Sequence, residues 1–214
     1  MADTPADELV KWNLQKPIAE AAFVFWNSFL ALRADNANLR VLNAAEVKRF
    51  MAVIRAISWV ESRHGTGAGN QPSRDPMQCG NPLDPWWKEL TGQSGNGSRF
   101  IRGVSGSTNY YAPELPAAAA ATSGFPTPAK LTSLTKLKDG HRDSGFTAVM
   151  SYYWGVPILI HKTNTDPGSG TTFQCEDVSR DRLVAGAYDY NGKGDGEYKN
   201  KINRAIDNLF GWPG

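Results

Sequence analysis

The sequence contains few cysteines and no concentrated block of charge. Its 214 residues include only Cys79 and Cys175, too few for a structural zinc set or for the disulfide framework of a small secreted domain. The formal net charge is only +2, without the lysine and arginine clusters that track a phosphate backbone. We therefore expect no nucleic acid partner, although the mild positive charge suits an anionic polymer such as a cell wall.

The sequence also lacks a long apolar run. The longest candidate, residues 19–34, is interrupted by Asn27 and Ser28 and falls short of the roughly 20 apolar residues that a membrane-spanning helix needs. The first residues, MADTPADELVKW, have neither the basic nor the apolar region of a signal peptide. We expect no membrane span, and action in the periplasm or at the cell wall would require delivery by another machine or removal of a leader.

Several catalytic motifs are absent. The three histidines form no HExxH pair, no GxGxxG is present, and NGKGDG lacks the GK[ST] of a phosphate-binding loop. No GxSxG stands in the chain, and neither cysteine lies in a known nucleophile motif. These absences leave metal-dependent hydrolysis, nucleotide chemistry and acyl transfer without support, and we expect neither a metal nor another cofactor.

The pattern of apolar residues predicts a single, mainly α domain. Residues 1–42 form a predicted N-terminal helical extension, and residues 43–90 and 143–210 carry the regular helical periodicity of a core. Between them, residues 91–142 are rich in Gly, Pro, Ser and Asn, which predicts a loop-rich insertion. No sustained alternation of apolar and polar residues indicates a β-strand.

Glu61 lies at the end of an apolar helix face. The helix begins at Asn43, which forms a capping-box pattern with Glu46. The apolar stripe reaches Ser58, and three residues further it reaches Glu61. A carboxyl group in such a position loses hydration, so its pKa rises and it becomes able to donate a proton near neutral pH. The structural alternative is a glutamate that caps a turn or pairs with Arg55 or Arg63.

Three separated segments carry a family resemblance. ESRHG begins at Glu61, DPMQCGNP at Asp75 and YNGKGDGEYKNKI at Tyr190, and in that order they resemble the motifs of the lysozyme-like superfamily, specifically the goose-type lysozyme and soluble lytic transglycosylase group. The resemblance covers about residues 43–90 and 143–205. It implies a lysozyme-like, transglycosylase-type fold with a loop-rich insertion.

The resemblance also implies roles for individual residues. Glu61 corresponds to the catalytic acid of the family, with Ser62 as its companion. Asp75 and Pro76 stand where the family has Gly-Leu, and Tyr188 competes with Tyr190 for the aromatic role. The substrate-binding residues implied in this way are Ser62, Met77, Gln78, Tyr188, Tyr190 and Asn191.

A glycosidase that uses water needs a second carboxylate to hold that water or to attack the sugar. Asp75 and Asp84 are the candidates, and Asp189 is a weaker one. Lytic transglycosylases, by resemblance, use no second carboxylate, since the N-acetyl group of the substrate assists and a sugar hydroxyl attacks to leave an anhydro product. The presence of Asp75 and Asp84 favours hydrolysis.

We therefore expect a muramidase that cleaves the MurNAc-β-1,4-GlcNAc bond of the peptidoglycan glycan strand, as a phage lysin or an antibacterial toxin. A toxin of this kind would be expected to have an immunity or inhibitor protein as a partner. The alternatives are a lytic transglycosylase, a chitin- or chitosan-cleaving relative, and a catalytically inactive wall-binding module. Cys79 and Cys175 are predicted to form a disulfide.

Overall fold

The computed structural model describes residues 4–32, 42–90, 137–164 and 178–214. Within these ranges all regular structure is helical and no strand occurs, so the predicted mainly α class is confirmed. None of the helices described is long and apolar enough to cross a membrane. The α-helices are α1 (Pro5–Leu32), α2 (Ala44–Ser62), α3 (Pro85–Leu90), α4 (Ala148–Asn164), α5 (Arg180–Tyr190) and α6 (Tyr198–Ala205), joined by a 3-10 turn (Gly140–Arg142) and a π-helical turn (Ile206–Phe210).

The predicted capping box begins α2. The Asn43 side chain accepts hydrogen bonds from the backbone N–H groups of Ala45 and Glu46, at 3.0 and 3.1 Å. In return, the Asn43 backbone N–H donates to Glu46 Oε2 at 2.8 Å. These bonds satisfy N–H groups that have no partner within the helix. The first turn of the helix that carries Glu61 is therefore fixed as the sequence indicated.

Helix α4 forms the centre of the molecule. Every residue from 151 to 160 is buried, and α1 and α5 pack against the helix. A proline inside a helix usually kinks or ends it, but α4 continues through Pro157 to Asn164. The apolar residues around Pro157 are buried, so tertiary packing outweighs the loss of one backbone hydrogen bond.

Helix α1, which was predicted as an N-terminal extension, packs into the same core as α4. Trp12, Phe23 and Trp26 are almost fully buried. The indole N–H of Trp26 donates to the backbone oxygen of Tyr153 in α4 at 2.7 Å. Phe23 contacts the ring of Phe50 in α2, with 5.3 Å between ring centres. These contacts make α1 a structural element of the helical core.

Helix α2 packs against α1, α5 and α6. It ends at Ser62, because Arg63 and His64 both adopt left-handed backbone conformations, with φ of 52° and 55°. This end of α2 meets the end of α5 and the start of α6, so Glu61 faces the segment that links those two helices. The sequence PWWKEL forms the short helix α3, whereas the alanine-rich ELPAAAAA, which is also typical of a short helix, lies outside the described residues.

Candidate active site

Glu61 has two neutral hydrogen-bond donors. The hydroxyl of Tyr198, at the start of α6, donates to Glu61 Oε1 at 2.7 Å. The side-chain amide of Asn191, at the end of α5, donates to the same oxygen at 3.5 Å. Among the described residues no group hydrogen-bonds to Oε2. One carboxyl oxygen is therefore held by described side chains, and the other accepts no hydrogen bond from them.

The surroundings of Glu61 favour its protonated form. Burial raises the pKa of this carboxyl above the ordinary value of 4.5, and the charge of Asp75 raises it further. The hydrogen bonds from Tyr198 and Asn191, and the charge of Lys201, act in the opposite direction. Desolvation is the largest contribution, so Glu61 holds its proton to a higher pH than an exposed glutamate does.

The expected alternative, a glutamate paired with an arginine, is not what the structure contains. Arg55 forms its ion pair with Glu8 of α1, and its Nε donates to Glu8 Oε1 at 2.7 Å. The guanidinium of Arg63 lies over the ring of Trp59, 4.6 Å from the ring centre. The hydrogen-bond donors to Glu61 are uncharged side chains, which leaves its pKa high.

The Tyr190–Asn191 segment lies beside Glu61. Asn191 is the C-cap of α5, and Gly192 follows with φ of 73°, a conformation that glycine adopts readily. Tyr190 does not bond to Glu61, since its hydroxyl donates to the backbone oxygen of Met77 at 2.8 Å. Asn191 thus contacts the carboxyl directly, while Tyr190 joins α5 to the segment that follows Asp75.

The carboxylate of Asp75 is fully buried and its two oxygens are both occupied. Oδ1 accepts from the Ser151 hydroxyl at 2.7 Å and from the Cys79 backbone N–H at 3.1 Å. Oδ2 accepts from the Gly80 backbone N–H at 2.8 Å and lies 3.0 Å from His141 Nδ1. These contacts connect the 75–80 segment to α4 and to the 3-10 turn.

This arrangement corrects the prediction of Asp75 as a second catalytic carboxylate. A carboxylate that activates water must expose an oxygen to that water, whereas Asp75 is buried and bonded at both oxygens. Its role is to fix the local backbone. It also acts on Glu61 at a distance, because its negative charge raises the pKa of the Glu61 carboxyl.

Three of the predicted substrate-binding residues make structural contacts instead. Ser62 is buried and its hydroxyl donates to the Pro76 backbone oxygen at 2.8 Å. The Met77 side chain is fully buried. Gln78, whose backbone has φ of 52°, uses its side-chain amide to bond the Asn70 backbone at 2.9 and 3.0 Å. The polar side chains of Ser62 and Gln78 therefore bond to the backbone of neighbouring segments, and Met77 packs in the core.

The other predicted residues lie at the edge of the site. Asp84 borders a cavity of about 20 Å³ together with Gln78 and Tyr190, a space that holds at most a single water. The Tyr188 hydroxyl donates to the Lys193 backbone oxygen at 3.4 Å, and Lys199 lies 5.1 Å from the centre of its ring. Neither Asp84 nor Tyr188 hydrogen-bonds to Glu61.

Cys79 is a buried free thiol, and burial raises its pKa well above the ordinary value. Its Sγ donates to the Ser151 backbone oxygen at 3.3 Å. The predicted disulfide with Cys175 is therefore not formed, because the Cys79 thiol points into the packed contact with α4. Cys175 itself lies outside the described residues.

Sequence reasoning missed Tyr198, which forms the shorter of the two hydrogen bonds to Glu61. The periodicity of α6 assigned this residue to an apolar face, and its ring is indeed buried. A buried tyrosine, however, needs a hydrogen-bond partner for its hydroxyl. That requirement, applied to the tyrosine that follows the Tyr190–Asn191 motif in the sequence, is the signal that identifies it.

A second buried polar network lies on the α1 side of α2. Glu8 Oε1 is 2.7 Å from His64 Nε2, and His64 Nδ1 is 3.0 Å from Ser58 Oγ. Ser58 Oγ in turn lies 2.7 Å from the Tyr152 hydroxyl. Glu8, Ser58, His64 and Tyr152 are all buried, so this serine–histidine–glutamate chain joins α1, α2 and α4 inside the core.

The described residues contain no group of three His, Cys, Asp or Glu side chains arranged to hold a metal ion. A larger cavity, about 590 Å³, lies between α1, α2 and the residues after the π-helical turn, but Glu61 does not line it. Comparisons with protein-family models, with curated proteins and with solved structures find no match. The site is therefore interpreted from its own geometry.

Proposed function

We propose that the protein cleaves the MurNAc-β-1,4-GlcNAc bond of peptidoglycan, with Glu61 as the general acid. The observation that carries this proposal is a desolvated carboxyl with a raised pKa, held at one oxygen by two neutral donors. Glycoside cleavage needs such a group to protonate the bridging oxygen. The catalytic glutamate of lysozyme, whose pKa is raised by an apolar pocket, is a precedent for this chemistry and supports the proposal by analogy only.

Glu61 Oε2 delivers the proton to the bridging oxygen as the glycosidic bond breaks. The Glu61 carboxylate formed in this step is stabilised by the hydroxyl of Tyr198 and the amide of Asn191, which donate to Oε1. General acid catalysis of this kind contributes about 10² to 10⁴ in rate. In the next step, the Glu61 carboxylate accepts a proton from the incoming nucleophile.

The surroundings of Asp75 favour the lytic transglycosylase outcome over the hydrolysis indicated by the sequence. Asp75 has no free oxygen for a water molecule. In the outcome favoured here, the N-acetyl group of MurNAc assists departure of the leaving sugar. A hydroxyl of the same MurNAc then attacks the anomeric carbon, and the product carries an anhydro end.

The proposed setting is a lysin or an antibacterial toxin that acts in the periplasm or at the cell wall, with an immunity or inhibitor protein as the partner expected of a toxin. A chitin-cleaving activity can be distinguished from the proposed one by its substrate, because chitin contains no muramic acid. An inactive wall-binding module can be distinguished because it would bind peptidoglycan without any cleavage that depends on Glu61.

The test is the release of soluble fragments from purified peptidoglycan by the wild type and by Glu61→Gln. The variant keeps the shape of the side chain and removes its acid, so we expect release to fall by at least about 10². Glu20→Gln is the matched control, because Glu20 is a half-exposed residue of α1 that pairs with Lys16. Equal release by the wild type and Glu61→Gln would refute the assignment.

A further inference from the structure

A groove of about 500 Å³ lies between the end of α2 and helix α6, continuing to Leu209. Three of its described lining residues are cations: Arg63, Lys201 and Arg204. None of the described lining residues is acidic. Its wall includes Trp59, and the charged groups of both Lys11 and Arg63 lie against that ring, 5.3 and 4.6 Å from its centre.

The positive charge of this groove is only partly neutralised. Lys201 pairs with Asp195, at 2.5 Å between Nζ and Oδ2. The side chain of Arg204 is exposed, and its Nε donates at 3.3 Å to a backbone oxygen of its own helix, that of Asn200. No described carboxylate forms an ion pair with Arg204. The guanidinium of Arg204 is therefore available to an anionic ligand.

The groove is lined by residues of the same two helices, α2 and α6, that carry Glu61 and Tyr198. Val60, which lines it, directly precedes Glu61. Lys201 lies one helical turn beyond Tyr198, whose hydroxyl bonds to Glu61. The charge of Lys201 reaches the acid itself, since it lowers the pKa of Glu61. A ligand whose scissile bond sits at Glu61 can thus extend an anionic substituent into the groove.

We propose that this groove binds the carboxylates of the peptide stem carried by muramic acid. This inference rests on the proposed function. It adds that the protein recognises the peptide stem of its substrate as well as the glycan strand. The stem branches from the MurNAc ring next to the scissile bond, and its free carboxylates match the exposed guanidinium of Arg204. Arginine recognises carboxylates through paired N–H donors, which makes Arg204 the leading contact.

The experiment measures binding without cleavage. Glu61→Gln protein is titrated with soluble peptidoglycan glycan strands that carry their stem peptides, and with the same strands after an amidase has removed them. Adding Arg204→Glu reverses one charge in the groove, and Lys48→Glu is the matched control, because Lys48 is exposed in α2 and does not line this groove.

We expect Arg204→Glu to weaken binding of the stem-bearing strands by about tenfold, as reversal of one partly exposed charge pair would. Binding of stripped strands should change by less than about twofold, and Lys48→Glu should change neither. The loss should shrink at high salt, because partly exposed charges are screened. Equal weakening on both types of strand, or no weakening, would overturn the proposed stem site.

The binding result is independent of cleavage. If the wild type releases no products while Arg204→Glu still weakens only stem-bearing strands, the cleavage proposal fails and the stem site stands. If the wild type cleaves while Arg204→Glu binds both types of strand as the control does, the stem site fails and the cleavage proposal stands.

Discussion

Glu61 and Asp75 are neighbouring carboxyl groups in opposite situations. Asp75 accepts hydrogen bonds at both oxygens and is fully buried. Glu61 accepts hydrogen bonds from described residues at Oε1 alone and is partly exposed at the surface. The two groups are close enough for the charge of Asp75 to raise the pKa of Glu61. The difference between them is the number of oxygens left for a substrate.

This comparison indicates how to separate structural from chemical carboxylates in a small helical protein. A carboxylate whose acceptor sites are all filled stabilises the backbone that fills them, and its loss leaves buried donors without partners. A carboxyl that is desolvated but incompletely bonded is poorly suited to stabilise the fold, and its raised pKa equips it to donate a proton. Substitutions of the two kinds of carboxyl group should therefore have different consequences.

Asp75→Asn is expected to have the largest effect on stability. The amide places an N–H group among donors such as the Gly80 backbone N–H, so the free energy of unfolding should fall by about 3 kcal/mol. Urea denaturation of the wild type and the variant measures this loss. Glu61→Gln is the control and should change stability by less than about 1 kcal/mol. Similar losses for the two variants would remove the distinction between the two carboxyl groups.

Glu8→Gln extends the comparison to a third carboxylate with filled oxygens. The substitution leaves the buried His64 and the partly buried Arg55 without their anionic partner, and we expect a loss of about 2 kcal/mol. Thermal or urea unfolding at neutral pH measures it. Glu20→Gln, in the same helix but half exposed, should be nearly neutral. Equal stability of both variants would contradict a structural role for Glu8.

Tyr198→Phe tests how the hydrogen bond to Glu61 sets the pKa of this carboxyl group. The Tyr198 hydroxyl lowers the pKa of Glu61 by donating to it. Without that bond the pKa should rise, so the basic limb of the cleavage rate against pH should move to higher pH. The maximal rate should fall by less than about tenfold, the value of one such hydrogen bond. Tyr188→Phe is the control, and a limb that moves to lower pH would contradict the assignment.

The smallest predicted effect is a gradual change of the unfolding free energy with pH. Burial holds the pKa of His64 below its ordinary value of 6.5. Hydrogen bonds from Arg55 and His64 hold that of Glu8 below 4.5, against the effect of burial. Both groups bind fewer protons in the folded state than in the unfolded state, so their contribution to stability is complete above 6.5 and declines as the pH falls.

Thermal unfolding measured from neutral pH downward checks this prediction. The unfolding temperature should begin to fall below 6.5, the ordinary pKa of histidine, and fall further below 4.5, the ordinary pKa of glutamate. Glu8→Gln should reduce the second decline. An unfolding temperature that rises on acidification through this range would contradict the assigned directions.

Part of this arrangement could be predicted from the sequence because it depends on local rules. The capping box at Asn43 and the apolar stripe that leads to Glu61 follow from the periodicity of one helix. The ordered motifs singled out Asn191, whose side-chain amide donates to Glu61 in the structure. Such features can be predicted from residues that are close in the sequence or from the order of the motifs.

The remainder depends on contacts between distant segments. Whether Asp75 faces outward or into the core is decided by Ser151 and His141, which are 76 and 66 residues away. Glu8 similarly finds His64 at a separation of 56 residues. Helical spacing and turn composition contain no information about such pairings, so the burial of Asp75 and the role of α1 emerged only from the fold.

The most direct test of the account is mass spectrometry of the fragments that the wild type releases from purified peptidoglycan. If one carboxyl group performs the cleavage and Asp75 serves the fold, the fragments should carry anhydro-muramic ends and should disappear with Glu61→Gln. Fragments with reducing muramic ends would show that water attacks instead of the sugar hydroxyl and would contradict the favoured outcome. The absence of any fragments would contradict the proposed activity itself.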